Sequence, residues 1–459
     1  MNPIAYSTIM AVPDTSAGAL AERIVGMLQT SGHRAYLVGG CVRDLLLGRE
    51  PKDYDVATSA RPEEILALFP NSRQVGAHFG VMVVTEADTQ VEVATFRSDH
   101  AYRDGRRPVS VEFEADPRRD VLRRDFTINA LLLDPGTGEV LDLVGGRADL
   151  EARCVRAIGD PETRFGEDHL RMLRAVRFAT TLEFHIEPGT MEAIRRLRGL
   201  IRRVSAERVR DELVSILIEG DARRGFELLD ESGLLAEILP EVAAMKGVAQ
   251  PPEFHPEGDV WTHTLLMLGA MRNPTVTLAL GVLLHDVGKP PTFRIEERIR
   301  FDGHVEVGAR MAVEILSRLR FSAAEIRRVE VLVANHLRFM EVRRMRESTL
   351  KRFLRQEHFD EHLELHRLDC AGSHRRLDNY EFVSSKLSEL KTEELKPPRL
   401  LTGRDLIAAG YHPGPAFHRM LAEVEDAQLE SRIRTRDDAL ALVRSLFDPP
   451  DGRPRQACT

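Results

Sequence analysis

The chain has 459 residues, 43% of them apolar and 30% charged, enough for two to four domains each with its own core. No apolar run is long enough to span a bilayer, and "MNPIAYSTIMAVPD" lacks the basic start and apolar core of a signal peptide. The four cysteines (Cys41, Cys154, Cys370, Cys458) have no ligand spacing, which points to a reduced cytoplasm.

A net charge of −8 argues against nucleic acid, but the charge is uneven. "IRRLRGLIRRVSAERVR" (194–210) and "VRRMRESTLKRFLR" (342–355) are basic and helical in pattern, as solvated helix faces or as grooves for RNA phosphates.

Residues 36–145 read as mixed α/β, the first part of a head expected over 18–150. Its first unit is "LVGGCVRDLLLG". Gly39 and Gly40 follow an apolar strand and precede a helix, either as a tight turn or as a turn whose N–H groups cradle phosphate. Arg43 would add positive charge there, with Asp44 orienting it or capping the helix. In "KDYDVATSA", Asp53 and Asp55 are expected on one strand at i and i+2, so both carboxylates face one spot. Like charges so close call for a cation, and Mg²⁺ with phosphate oxygens suits them. "VMVVT" (81–85), "VEVATF" (91–96) and "VSVEF" (109–113) read as strands, and Glu92 either joins the metal or lies on a solvated strand face. "TFRSDHAYRDGRRPVSVEF" (95–113) reads as a charged loop of the kind that moves over a substrate. "RRDFTINA" gathers Arg123, Arg124, Asp125 and Asn129, and "DPGTGEVLDL" (134–143) has the composition of a hairpin.

After Leu150 the pattern is almost entirely helical. "GEDHLRMLRAVRFA" (166–179) predicts one helix with Asp168 and Arg171 on the same face, where a salt bridge is the simplest reading. Another helix starts at Ser205, buries Val209, Leu213, Ile216 and Leu217, and stops at Gly220. "KGVAQPPEFHPEG" (246–258) is a proline-rich boundary, "ELKPPRL" (394–400) marks a second, and the last residues (449–459) are expected to be disordered.

Six stretches in order resemble the class II tRNA nucleotidyltransferases, the CCA-adding enzymes and bacterial poly(A) polymerases. They are "LVGGCVRDLLLG", "KDYDVATSA", "RRDFTINALLLD", "DLVGGRADLEARCVRAIGDP", "FGEDHLRMLRAVRFA" and "SAERVRDEL". The resemblance covers about Leu37 to Phe447. It implies an α+β head with the nucleotidyltransferase core of the polymerase beta superfamily, a mixed sheet with helices. An all-α neck (151–245), an HD body (246–393) and a helical tail (394–448) would follow. It further implies that Asp53, Asp55 and Glu92 are catalytic. Gly39, Gly40, Arg43, Arg123, Asp125, Asn129, Asp168, Arg171, Arg174 and Arg177 would bind ATP and CTP, and the RNA would be tRNA. In the family, the Asp and Arg of the "EDHLR" motif read the incoming base. Donor and acceptor types agree: Asp168 accepts and Arg171 donates, matching the amino group and ring nitrogen of cytosine or adenine but not uracil or guanine.

"GVLLHDVGKPPT" (281–292) holds His285 and Asp286, joined by His263, His304, His336 and Asp369. His and carboxylate groups from separate helices suit a divalent ion. Their order resembles the HD phosphohydrolases. That resemblance implies His263, His285, Asp286 and Asp369 as ligands of Mg²⁺, Mn²⁺, Ni²⁺ or Co²⁺, with His304 and His336 contacting phosphate or a second metal. Related domains remove terminal phosphates and open 2′,3′-cyclic phosphates. The expectation is CCA addition with an HD hydrolase. Poly(A) or A-only addition is the near alternative, and an HD hydrolase whose head only binds RNA the distant one.

Overall fold

The computed structural model describes residues 12–13, 15–75, 80–102, 105, 108–390 and 395–447. The expected disordered end, with Cys458, lies outside the described residues. The chain divides into two compact units. One holds residues up to Lys246 with 272–279 and 314–323; the other holds 247–271, 280–313 and the chain from Ala324 on. Among the described residues no helix is long and apolar enough to cross a membrane.

The first unit opens with α1 (Ser16–Thr30), whose N-cap Thr15 hydroxyl accepts from Gly18 N at 3.0 Å. A seven-stranded mixed sheet follows, built from β1 (Ala35–Val38), β2 (Asp55–Thr58), β3 (Arg73–Gln74), β4 (Val81–Glu86), β5 (Thr89–Thr95), β8 (Leu132–Asp134) and β9 (Glu139–Leu141) in the order β3-β4-β5-β2-β1-β8-β9. Helices α2 (Gly40–Leu46), α3 (Pro62–Leu68), α4 (Pro117–Leu122) and α5 (Gly146–Glu151) are interspersed. A core of Val38, Ala57, Phe96, Val121, Ala130, Leu132 and Ile158 backs the sheet. The hairpin read in 134–143 is present as β8–β9, with Gly138 at positive φ in its turn.

The strand read at 109–113 is present as β7 (Pro108–Phe113), but the segment read as a loop at 95–113 also holds β6 (Arg97–Tyr102), which pairs antiparallel with β7. The charges of "RSDHAY" hid β6, whereas β7 shows its pattern. Val109, Val111 and Phe113 alternate with polar residues as a strand requires, and Arg97 offsets its charge on Asp99 at 3.1 Å.

Past β10 (Cys154–Val155) the unit is helical: α6 (Pro161–Glu167), α7 (Arg171–Leu182), α8 (Pro188–Leu197), α9 (Ala206–Ile218) and α10 (Ala222–Glu231), with one short strand, β11 (His185–Ile186), between α7 and α8. Helix α9 follows Ser205 and buries Val209, Leu213, Ile216 and Leu217 as expected, although the Ser205 hydroxyl forms no cap.

The second unit is built mainly of helices, among them α11 (Val260–Ala270), which packs on α12 (Phe359–Gly372). One of its cores gathers Phe339, Val342, Phe353, Leu354, Phe359 and Val383; another gathers Leu401, Leu406, Met420, Val424 and Val443.

Candidate functional site

Strand β1 ends at Val38, and α2 starts two residues later. Gly39 between them has φ +81° and ψ −137°, a conformation costly for any residue with a Cβ. Val38 pairs antiparallel with Asp55, so the glycine turn lies beside the start of β2. A Cβ on Gly39 would stand 3.5 Å from Asp55 Oδ2. Only Asp55 belongs to the strand; Asp53 precedes it, contrary to the expectation that both lie on one strand. The pair nevertheless lines one cleft of about 670 Å³, together with Gly39, Gly40, Arg43, Arg124, Asp125, Asn129, Arg174 and Arg177. Glu92 does not line it but stands in register with Asp55 on the parallel neighbour β5. Burial, then Glu92, pushes the Asp55 carboxyl up to about 6. All-oxygen donors carrying this repulsion fit a hard divalent cation such as Mg²⁺.

The arginines are fixed by carboxylates and by one aromatic ring. Arg43 donates to Asn129 Oδ1 at 2.8 Å and pairs with Asp44. Arg174 holds Asp125 through two bonds of 2.9 and 2.6 Å, and Arg177 pairs with Glu212 at 3.0 Å. The three guanidiniums lie 5.2, 5.2 and 4.5 Å from the ring of Phe178. Sequence reasoning named Arg123, but the cleft is lined by Arg124. Buried Asp120 binds both, at 2.6 and 2.9 Å, and Arg123 also faces Asp99. The "RRD" pattern marked both arginines; nothing in it says which one turns inward.

Asp168 and Arg171 do not share a helix. Asp168 caps the end of α6, and α7 starts at Arg171. Their expected salt bridge is absent because each has another partner. Arg208 grips Asp168 at 2.9 and 3.3 Å, and Glu167 pairs with Arg171 at 2.7 Å. Arg171 also donates to the carbonyls of Arg123 and Arg164. Neither residue lines the cleft around Asp53 and Asp55. The tip of the β6–β7 hairpin reaches this turn, where Gly105 O accepts from His169 N at 3.1 Å.

The basic stretches are partly neutralised within the chain. Arg196 pairs with Glu162, Arg202 with Glu237, Lys351 with Glu347, and Arg352 with Glu425. Exposed pairs such as Arg196–Glu162 contribute little, about 0–1 kcal/mol, whereas Lys351 is buried and also donates to the Leu429 carbonyl.

In the second unit the HD residues converge. His285 Nε2 is 3.1 Å from Asp286 Oδ2, which also holds Lys289 Nζ at 2.7 Å. The other oxygen, Oδ1, lies 3.9 Å from His304 Nε2 and 3.8 Å from His336 Nε2. His263 Nε2 is 3.2 Å from Asp369 Oδ1. Burial opposes the charge on Asp286, but His285 and Lys289 hold its carboxyl well below the usual range. Burial pushes His336 down to about 4, so it is a neutral imidazole at pH 7. The buried atoms Asp286 Oδ1, His285 Nε2, His304 Nε2 and His263 Nε2 lack hydrogen-bond partners, as expected where an ion completes them. His263, His285 and Asp286 bring ligand atoms within 4.8 Å of one another, as do Asp286, His304 and His336. Sequence reasoning passed over a third such group, His255, Glu257 and His263. Two of its members sit in the proline-rich stretch read only as a boundary.

Three family descriptions match the chain: "Poly A polymerase head domain" over residues 35–156, "Probable RNA and SrmB- binding site of polymerase A" over 183–246, and "HD domain" over 260–367. The chain is 40% identical over 262 residues to the CCA-adding enzyme of Lactobacillus helveticus, covering 56% of this chain and 65% of that protein. It is 44% identical over 220 residues to the CCA-adding enzyme of Geobacillus stearothermophilus, covering 48% of this chain and 54% of that one. The matched part thus spans a little over half to just under two thirds of these relatives. Among solved structures, the Bacillus stearothermophilus CCA-adding enzyme in complex with CTP superposes with a TM-score of 0.71 at 26% identity, covering 94% of this chain and 98% of that one. The Thermotoga maritima CCA-adding enzyme complexed with tRNA shares the fold at a TM-score of 0.61 and 19% identity, covering 95% and 97% of the two chains.

Proposed function

The chain belongs to the family of CCA-adding enzymes and bacterial poly(A) polymerases, and from that membership we propose that it adds C and A to the 3′ end of tRNA from CTP and ATP. The observation that carries this reading is the cleft in which Asp53 and Asp55 meet the Gly39–Gly40 turn and a set of oriented arginines.

Asp53 and Asp55 would hold Mg²⁺, which when bound eases deprotonation of the RNA 3′-hydroxyl and stabilises charge on the phosphates. The residues of the chain do the positioning. N–H groups at the glycine turn and the guanidiniums of Arg43, Arg124 and Arg174 receive the triphosphate. Asp168 and Arg171 select the base, with Arg208 and Glu167 fixing their side chains. Arg171 has five donors, and its three bonds to protein leave others for a base. Head, neck, HD body and tail are assigned to 18–150, 151–245, 246–393 and 394–448. In the HD body, His263, His285, Asp286 and Asp369 would hold a divalent ion (Mg²⁺, Mn²⁺, Ni²⁺ or Co²⁺) for phosphoester hydrolysis. The orphaned ligand atoms support that assignment.

The test supplies tRNAs ending at the discriminator base, at C and at CC, each with CTP, ATP or both, and sizes the products. Growth to CCA and no further is expected. Long tails with ATP alone would identify a poly(A) polymerase, and extension of only the CC form an A-adding enzyme.

A further inference from the structure

The four histidines around the HD centre are not held alike. His285, His304 and His336 each place Nδ1 on the carbonyl of the residue three positions earlier: Val282 at 2.9 Å, Phe301 at 2.8 Å and Val333 at 2.7 Å. Such a bond puts the proton on Nδ1 and leaves the Nε2 lone pair for a ligand. His263 departs from this pattern. Its Nδ1 faces a carboxylate, Glu257 Oε1, at 2.8 Å, while its Nε2 faces Asp369. Neither ring nitrogen completes a hydrogen bond there, and the side chain has no exposed surface. His255 braces the same carboxylate oxygen through its own Nδ1 at 2.8 Å.

We infer that Glu257 is a positioning residue of the HD centre. It takes the Nδ1 proton of His263 and so keeps that imidazole turned with Nε2 toward the metal position, and His255 holds Glu257 in place. The inference rests on the HD metal reading above. An anionic acceptor makes the imidazole a stronger ligand than a carbonyl does, so His263 is the histidine whose donor strength the chain has tuned. His255 and Glu257 belong to "FHPEG", just ahead of α11, so this stretch is part of the centre rather than a spacer.

The experiment is a Co²⁺ titration of the full chain, read by visible absorption, in which nitrogen ligation is distinguished from all-oxygen ligation. Asp55→Asn is present throughout to silence the carboxylate pair of the transferase cleft. Glu257→Ala should weaken Co²⁺ binding roughly 10- to 100-fold with one-ion stoichiometry kept. Glu257→Gln, near in shape and still able to accept through its amide oxygen, should fall between it and the parent. Equal affinity in all three proteins would overturn the inference. So would loss of a whole equivalent of Co²⁺ in Glu257→Ala with the remaining affinity unchanged, since Glu257 would then be a ligand of a separate ion. A parent that gives no nitrogen-ligated Co²⁺ signal would instead remove the HD metal reading itself. Circular dichroism on each variant separates lost binding from lost folding, and the Gln variant carries the test if the Ala variant does not fold.

Discussion

Asp55 and Glu92 stand directly opposite one another on the parallel strands β2 and β5. Burial and this neighbour raise the Asp55 carboxyl to about 6 without metal. A carboxyl raised in the folded state destabilises it once pH exceeds the unfolded value near 3.9, and the penalty is fully present above the folded value. In EDTA at pH 7, Glu92→Gln should therefore stabilise the protein by about 1 kcal/mol. The gain should shrink as pH falls through about 6 and Asp55 takes up its proton. Urea unfolding of both proteins at pH 5 and pH 7 checks this. A gain that does not change with pH would remove the assigned coupling.

Asp53→Ala or Asp55→Ala should lower nucleotide addition by at least about 10³-fold. Binding of tRNA, carried by basic side chains on phosphates, should survive. Near-normal addition by either variant would place the metal elsewhere. Filter binding and product sizing on the same preparations measure the two effects.

Gly39→Ala tests the turn itself. At φ +81° the added Cβ brings backbone strain of about 1–3 kcal/mol, and it would sit 3.5 Å from Asp55 Oδ2. Addition should fall together with stability, with KM for CTP and ATP rising as the N–H groups shift. A variant with wild-type KM would show that the turn is structural only.

Most strands of the sheet and the glycine turn were legible because each has a local signature: alternation, or a helix opening on glycine. The end of α6 was not. "GEDHLRMLRAVRFA" has helical periodicity throughout, and the break in it goes with tertiary contacts, of Asp168 with Arg208 and of Arg171 with the Arg123 carbonyl. The choice of Arg124 over Arg123 was equally hidden, because buried Asp120 holds both. Glu257 was missed because proline-rich surroundings read as a boundary.

If Asp168 and Arg171 read the base, Asp168→Ala or Arg171→Ala should lose discrimination as well as rate. The preference for CTP and ATP over UTP and GTP should drop by about two orders of magnitude, because the mismatched donors and acceptors no longer meet. Arg208→Ala frees Asp168 without removing it, so it should relax selectivity less than Asp168→Ala does. Equal loss of rate for all four nucleotides would make these residues structural.

The two proposed metal sites draw on separate residues: Asp53 and Asp55 fall in one compact unit, and His263, His285, Asp286 and Asp369 in the other. No side chain is common to both, so substitutions at one should act nearly additively with those at the other. His285→Ala with Asp286→Ala removes the pair that binds Lys289 and faces His304 and His336. Hydrolysis of a 2′,3′-cyclic phosphate should disappear while CCA addition stays within about twofold of wild type. Asp55→Ala should do the reverse. Both activities are assayed in both variants after circular dichroism confirms folding, with Mg²⁺, Mn²⁺, Ni²⁺ and Co²⁺ supplied in turn. A wild-type protein that hydrolyses no phosphoester with any of these ions would leave the HD body without catalysis. Loss of CCA addition in the folded double variant would mean that the HD body helps to place the tRNA, and the independence argued from the separate residue sets would be wrong.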